Sequence, residues 1–161
     1  MTEIKYSQKT FAELTAEELY EILRVRSDVF IVEQNCAYPD IDGIDRFSMH
    51  LYGTEDGKIV SYLRIYPKEK GIYQIGRVLT AVRGKGYGSE ILQRGIDWIS
   101  QREDARSVYI EAQCYAEGFY EKAGFRVSSE EFLEDGIPHA AMILDLEKND
   151  IMQKLRKKDS E

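Results

Sequence analysis

The fold is decided by the stretch Ile75-Gly76-Arg77-Val78-Leu79-Thr80-Ala81-Val82-Arg83-Gly84-Lys85-Gly86-Tyr87-Gly88-Ser89. Its apolar, β-branched start predicts a strand. Three glycines at every second position predict a turn, and the amphipathic pattern that continues to about Gln101 predicts a helix. Glycines let the backbone approach a ligand, and a helix start presents N–H groups and partial positive charge. We therefore expect an anion, and a phosphate in particular, at this turn.

Three types of phosphate-binding glycine loop can be compared with this turn. A Walker A loop needs a Lys-Ser or Lys-Thr pair directly after its last glycine, which Gly88 lacks. A dinucleotide fingerprint needs G-x-G-x-x-G, whereas the spacing here is G-x-G-x-G, with Glu111 as the acid that could bind a ribose. The third pattern, R-x-x-G-x-G, is matched by Arg83, Gly86 and Gly88 and is used for the pyrophosphate of coenzyme A. A dinucleotide-binding oxidoreductase stays as an alternative.

Composition limits the class of protein. The chain has 161 residues, for which we expect one domain over 1–147, with 148–161 as a charged tail or peripheral helix. Its 22 basic and 29 acidic residues give a net charge of −7, which argues against nucleic acid as a partner. No segment approaches the ~20 apolar residues of a membrane span, and the N-terminal residues lack a signal-peptide pattern. We expect a cytoplasmic protein, not bound to membranes, with Cys36 and Cys114 reduced.

The rest of the chain alternates strand and helix patterns. A capping box at Thr15 and Glu18 predicts a helix that ends near Phe30, and a turn-rich segment over 134–138 joins the last two strands. Strands are predicted at 3–9, 48–53, 58–66, from Gly71 into the opening stretch, and at 107–112, 125–127 and 139–146, with a short helix at 116–123. This order predicts an α/β protein with a mixed sheet and helices on both faces.

An acidic loop over 35–47 carries Asp40, Asp42 and Asp45. Together with Glu33, these residues could recognise a cationic amine by charge pairing. Alternatively, the loop is a solvated turn, because Asp and Gly favour turns. A calcium loop is excluded, because Leu51 occupies the twelfth position counted from Asp40.

Neither histidines nor cysteines form a catalytic pattern. His50 and His139 are far apart and not in a ligand-spaced pair, so we expect no metal. Cys114 has no adjacent histidine to activate it, which argues against a cysteine nucleophile.

Several further motifs occur in a fixed order between about Phe11 and Leu146. They are Leu19-Tyr20-Glu21-Ile22-Leu23, Val29-Phe30-Ile31-Val32-Glu33-Gln34, Asp40-Ile41-Asp42-Gly43-Ile44-Asp45, His50-Leu51, Ile75-Gly76-Arg77-Val78, Ala112-Gln113, Phe119-Tyr120-Glu121-Lys122-Ala123-Gly124-Phe125 and Glu134-Asp135-Gly136-Ile137-Pro138-His139. With them, the chain resembles the GNAT superfamily of acetyl-CoA-dependent N-acetyltransferases, in particular its ElaA-like branch. A single glycine motif is weakly specific, but the ordered set is specific.

The resemblance implies the GNAT fold, with a mixed central sheet of about six or seven strands, and direct transfer of acetyl from acetyl-CoA to a primary amine without a metal. It implies that the pantetheine arm lies along Arg77, Val78 and Leu79, and the pyrophosphate on Arg83, Gly84, Lys85, Gly86, Tyr87, Gly88 and Ser89. Tyr120 occupies the family's general-acid position. The alternative for Tyr120 is that it simply packs with Phe119.

The base and the acceptor are less defined. Candidates for the base are Glu33, ranked first, Glu111 and His50, because burial would raise the pKa of either carboxylate toward a useful value. The alternative for each glutamate is a salt bridge or an exposed edge position. Substrate contacts are predicted for Gln34, Asp42, Asp45, His50 and Gln113, with a small-molecule or peptide amine as acceptor. A non-catalytic coenzyme A-binding module and a homodimer also stay open.

Overall fold

Residues 3–146 are described by a computed structural model, which has eight strands and three α-helices in this range. In chain order they are β1 (Lys5–Thr10), α1 (Ala16–Arg26), β2 (Met49–Glu55), β3 (Lys58–Glu69), β4 (Ile72–Thr80), α2 (Tyr87–Ser100), β5 (Ser107–Gln113), α3 (Glu117–Lys122), β6 (Arg126–Val127), β7 (Phe132–Glu134) and β8 (Ile137–Asp145). The predicted tail, 148–161, lies outside the described residues.

The strands form a mixed sheet flanked by helices, as predicted. Within 3–146 the strand order is β1-β2-β3-β4-β5-β8-β6, with β7 paired to β8. β4 runs parallel to β5 at Ile72↔Ser107, whereas β5 and β8 are antiparallel. The sheet has more strands than the expected six or seven because β7 forms a hairpin with β8.

This hairpin corrects the predicted turn over 134–138. The turn contains only Asp135 and Gly136, with φ of 53° and 77°, as a two-residue hairpin turn requires. Pro138 lies inside β8, opposite Leu133. The proline is tolerated because it is near the start of the strand.

The chain divides into two compact units, and the first contains the part up to Tyr66 together with Ile75–Gly95. Here α1 begins with the predicted capping box, in which Thr15 Oγ1 accepts from the Glu18 N–H at 3.1 Å. The core of this unit includes buried side chains from α1, β2, β3 and β4, namely Ile22, Val25, Tyr52, Tyr62 and Leu79.

The predicted end of the first helix near Phe30 is wrong in detail. α1 ends at Arg26, and a π-helical segment, Ser27–Glu33, continues from it. The N–H of Cys36 then donates to the Ile31 carbonyl at 3.1 Å, again spanning five residues. Apolar residues at three- and four-residue spacing fit either helix type, so the pattern gave no indication of the wider turns.

Among the described residues, the second unit contains Pro67–Gln74 and 96–146. Along β5, the alternate residues Val108, Ile110 and Ala112 are buried, while Glu111 and Gln113 lie on the opposite face, half-buried. No helix within residues 3–146 is long and apolar enough to span a membrane. Cys36 and Cys114 are free thiols.

Candidate active site

The glycine turn before α2 adopts the conformation that its sequence predicts. Gly84 and Gly86 have φ of +79° and +76°, which residues other than glycine adopt at a cost. Around the position of a Cβ on either glycine, no heavy atom of the described chain beyond the adjacent residues lies within 4 Å. The helix follows at once, and the Glu90 N–H donates to the Gly86 carbonyl at 3.2 Å. The preceding N–H groups start the helix without intrahelical acceptors, so the turn forms an open cradle of N–H donors, an arrangement that suits an anion.

Basic side chains flank this cradle. The side chain of Arg83 is 67 % exposed, and its Nη2 lies 2.6 Å from Glu33 Oε1. Lys85 is also exposed. The predicted base role of Glu33 depended on burial, but its side chain, at the end of the π-helical segment, is 55 % exposed. The salt bridge given as the alternative is what the structure shows.

The aspartates of the acidic loop are paired, and two of them, Asp40 and Asp45, are buried. These aspartates and three arginines form a set of ion pairs, which we call the charge cluster and which consists of Arg26, Arg64, Arg77, Asp40, Asp42 and Asp45. Arg26 and Arg64 are 0 % and 2 % exposed, and Asp40 and Asp45 are each 5 % exposed.

The ion pairs of the charge cluster share their carboxylates. Arg26 Nη1 lies 2.6 Å from Asp45 Oδ1, and Arg26 Nε lies 3.1 Å from Asp40 Oδ2. Arg64 contacts Asp45 at 3.0 Å and Asp42 at 2.6 Å. Buried charges are stable in proteins when they are paired in this way.

Electrostatics favour the charged forms of Asp45 and Arg26. Burial alone would raise the pKa of Asp45, but hydrogen bonds from Arg26 and Arg64 and their charges outweigh it and lower the pKa. Burial also opposes the charge on Arg26, while Tyr62, Asp45 and Asp40 raise its pKa above the usual value. The solvated-turn interpretation is therefore wrong for Asp40 and Asp45, and three positive charges balance the three negative ones.

His50 lies against the same charges and has no exposed surface. Its Nε2 is 2.9 Å from the Asp45 carbonyl, which can only accept, so Nε2 carries the proton. Nδ1 therefore accepts from the Tyr62 hydroxyl at 2.7 Å. Burial lowers the pKa of His50, as do the charges of Arg26 and Arg64, although the Asp45 contact opposes them. Substrate contact and general-base chemistry at His50 both stay predictions. A buried ring with both nitrogens hydrogen-bonded does not favour either role.

β4 contains an unusual residue at the place where the donor is predicted to bind. Arg77 has φ of +54° in the strand interior. Its side chain turns to the charge cluster, with Nε 2.8 Å from Asp40 Oδ1. Its guanidinium also lies over the Tyr38 ring at 5.3 Å.

Tyr120 is half-buried in α3, in the second unit. Its ring packs edge-on against Phe119 at 5.0 Å and against Phe125 at 5.9 Å between centroids. Burial raises the pKa of the Tyr120 phenol, with Tyr115 adding to the effect, so the hydroxyl keeps its proton at neutral pH. Packing and proton donation are therefore compatible at this residue.

The remaining predicted residues lie on β5 and after the π-helical segment. Glu111 is half-buried and its Oε1 accepts from the Tyr109 hydroxyl at 3.1 Å. Gln34 and Gln113 are half-buried. Their contacts with substrate stay predictions. Within residues 3–146, no group of His, Cys, Asp or Glu side chains is arranged to hold a metal ion.

The sequence prediction missed Arg26 and Arg64. Arg26 lies on the apolar face of α1, four residues after Ile22, and Arg64 lies in the continuously buried part of β3, 60–65. A charged residue on an apolar face is a signal for a buried ion pair. This signal was present in the sequence, but the aspartates that pair with the two arginines could not be assigned without the fold.

Fold and site together define an α/β protein with an open glycine turn at a helix start, of the kind that binds phosphate groups. The family pattern of the "Acetyltransferase (GNAT) domain" matches residues 12–146. A UPF0039 protein of Schizosaccharomyces pombe is 37 % identical over 150 residues, covering 91 % of this chain and all of that one. Protein ElaA of Escherichia coli is 34 % identical over 145 residues, covering 86 % and 95 %.

Solved structures agree with these relatives. The crystal structure of Escherichia coli ElaA superposes with a TM-score of 0.83, covering 89 % of this chain and 100 % of that one at 33 % identity. An acyl-CoA N-acyltransferase from Pseudomonas aeruginosa gives 0.82, covering 88 % and 99 % at 33 % identity. The chain belongs to the GNAT acetyltransferase family, in its ElaA-like branch. The chemistry of this family is acyl transfer with an acyl-CoA as cosubstrate.

Proposed function

We propose that the protein transfers acetyl from acetyl-CoA to a primary amine of a small molecule or peptide. The observation that carries this proposal is the open glycine turn at the start of α2, flanked by exposed Arg83 and Lys85. Its donor set, backbone N–H groups and two cations, fits the pyrophosphate of coenzyme A. The free thiols of both cysteines support a cytoplasmic location.

The proposed reaction is a direct attack. The neutral amine attacks the thioester carbonyl, a C–N bond forms, the C–S bond breaks, and the products are an amide and coenzyme A. Tyr120, whose phenol stays protonated at neutral pH because burial raises its pKa, gives its proton to the leaving sulfur, and the proton that the attacking nitrogen loses on forming the amide restores the phenol. The ammonium loses a proton to a base, and half-buried Glu111 suits this role better than exposed Glu33.

The charge balance of the cluster bears on the acceptor. Asp40 and Asp45 are each 5 % exposed and paired with arginines. They are therefore poorly placed to attract a cationic substrate. We propose that the acceptor is selected by other groups that line the donor's acyl end.

Calorimetry and a thiol-release assay test the proposal. We expect acetyl-CoA to bind, NAD to give no heat, and thiol to be released with at least one member of a panel of amines. Tyr120→Phe should lower kcat by about 100-fold without weakening acetyl-CoA binding, because it removes only a proton donor. Tyr115→Phe is the matched control, since Tyr115 is 79 % exposed.

The other outcomes separate the alternatives. Absence of acetyl-CoA binding at millimolar concentration rejects the proposal. Tight binding with no turnover on any amine favours a coenzyme A-binding module. Protection by NAD instead of coenzyme A in a thermal-shift screen favours an oxidoreductase.

A further inference from the structure

Arg77 has a backbone conformation that needs an explanation. The other non-glycine residues with positive φ in the described chain, Asn35, Asp56 and Asp135, lie in turns, where this geometry is ordinary. Arg77 lies inside β4, and arginine gains nothing locally from φ of +54°. Such a conformation persists only where the surroundings hold it.

The charge cluster supplies that restraint through the side chain. Besides the contact of its Nε with Asp40, Arg77 Nη2 lies 3.2 Å from the Asp40 carbonyl and 3.3 Å from Asp42 Oδ2. Asp40 is itself fixed, because it accepts from Arg26 at 3.1 Å and from the Tyr38 hydroxyl at 2.6 Å. The Arg77 side chain thus donates through Nη2 to Asp40 and Asp42, while its Nε pairs by charge, without a hydrogen bond, with the buried Asp40 carboxylate.

A second arginine of the cluster lies next to the same part of β4. Arg64 Nε is 3.8 Å from the position that a Cβ would take at Gly76. Arg64 is held in turn by Asp42 and Asp45. The cluster therefore includes Arg77 of β4 and places Arg64 beside the preceding residue, Gly76.

We infer that the charge cluster is a positioning device for the acyl donor. By tying the Arg77 side chain, it holds the left-handed backbone there and so orients the peptide groups of β4 along which the thioester is laid. Asp40 and the Arg77 side chain are positioning residues that make and break no bond in the reaction. The inference rests on the proposed function, because it assumes that an acyl-CoA lies along β4.

Two substitutions at one position test this role. Arg77→Ala and Arg77→Gly both remove the tether, but glycine adopts positive φ readily whereas alanine does not. Both leave Asp40 paired with Arg26 and Tyr38, so the buried anchor is retained. If only the charge of Arg77 matters, the two variants should lose the same amount of affinity and activity. If its backbone conformation matters, Arg77→Gly should keep more of both than Arg77→Ala.

The first readout is the gain in affinity that the acetyl group provides, measured by calorimetry as the Kd of coenzyme A divided by the Kd of acetyl-CoA. The second readout is kcat. We expect Arg77→Ala to lower this ratio and kcat at least tenfold more than Arg77→Gly, while Kd for coenzyme A changes less than threefold in both. A general loss of structure would weaken both ligands together. Lys5→Ala and Lys5→Gly, on an exposed residue of β1, are the controls, and there glycine should lower Tm more than alanine.

Every result decides the inference. Equal losses in both Arg77 variants, or no loss in either, overturn it while leaving acetyl transfer by the wild-type protein intact. A wild-type protein that binds acetyl-CoA without turnover still tests it through the affinity ratio, and a ratio unchanged by Arg77→Ala overturns it. A wild-type protein that binds neither thioester nor coenzyme A overturns the proposed function and this inference with it.

Discussion

The glycine turn and the charge cluster contrast two uses of charge in the same unit. At the turn, Arg83 is 67 % exposed, and open space lies over two glycines. In the cluster, Arg26 and Arg64 are buried and matched by carboxylates. An exposed basic turn can accept an anion, whereas a neutralised cluster can only hold neighbouring groups in place.

Both regions looked like recognition sites in the sequence, one basic and one acidic. What separates them is whether the fold supplies partners for the charge. Partners come from α1, β3 and β4 for Asp40, Asp42 and Asp45, whereas Arg83 pairs with the exposed Glu33. Substitutions that remove partners in each region should therefore have effects of different kinds and sizes.

The largest effect is expected for Arg26→Met, which leaves Asp40 and Asp45 without their most buried partner. Breaking a buried pair costs about 3–5 kcal/mol. We expect that loss in the free energy of unfolding, measured by urea denaturation. Arg24→Met on the same helix is the control, because Arg24 makes exposed pairs with Glu21 and Asp28 and should cost below about 1 kcal/mol. Equal costs for the two variants would show that the cluster is no more than a set of surface pairs.

The next effect concerns ligand binding at the turn. Gly86→Asp should weaken acetyl-CoA binding about 100-fold, or about 2.7 kcal/mol, because it puts a negative charge into the phosphate cradle. Gly86→Asn has the same size and also tolerates positive φ, so it should cost only about fivefold. Calorimetry on both variants measures the difference. Wild-type affinity in Gly86→Asp would remove the turn from the proposed site.

Local signals in the sequence were sufficient for local structure. The capping box at Thr15 and the turn at Asp56 and Gly57, with φ of 52° and 77°, form as the residue types predict, because their interactions lie within four residues. The glycine turn belongs to the same class. These elements, together with the motif order, were enough for the fold.

The charge cluster could not be predicted, because its pairs join residues 14 to 37 positions apart. Neither the apolar pattern of α1 nor the alternation of β3 states which aspartate will meet Arg26 or Arg64. The φ of Arg77 was equally hidden, since arginine carries no preference for positive φ. Glu33 is 55 % exposed at the end of the π-helical segment, and the apolar residues before it gave no indication of either feature.

A smaller effect is expected on the free energy of unfolding at acid pH. The pKa values of Asp42 and Asp45 are lowered because Arg64, and for Asp45 also Arg26, outweigh the opposite influence of burial. A carboxylate with a lowered pKa in the folded state stabilises the fold above its unfolded pKa of about 3.9, and this stability is lost as the pH falls through the folded value. The free energy of unfolding should thus decline below about pH 4.

Asp42→Asn isolates one part of this dependence. It removes one of the titrating groups, so the decline in acid should become shallower, by on the order of 1 kcal/mol for a partly exposed pair. Urea denaturation of both proteins between about pH 3 and 7 measures the difference. Parallel curves for Asp42→Asn and the wild-type protein would show that the Asp42 pair with Arg64 contributes nothing to acid stability.

The smallest effect is expected for Glu33→Gln, and it tests whether the exposed pair with Arg83 is anything more than a surface contact. An exposed ion pair is worth at most about 1 kcal/mol, so stability should hardly change. Without the Glu33 carboxylate, the positive charge of Arg83 is available to a phosphate. Acetyl-CoA should therefore bind about twofold more tightly at low salt, and this gain in affinity should vanish at high salt. If Glu33 is instead the general base, kcat falls by about 100-fold and Kd stays the same. Calorimetry and thiol release on one variant thus distinguish a counter-ion at the turn from a catalytic group.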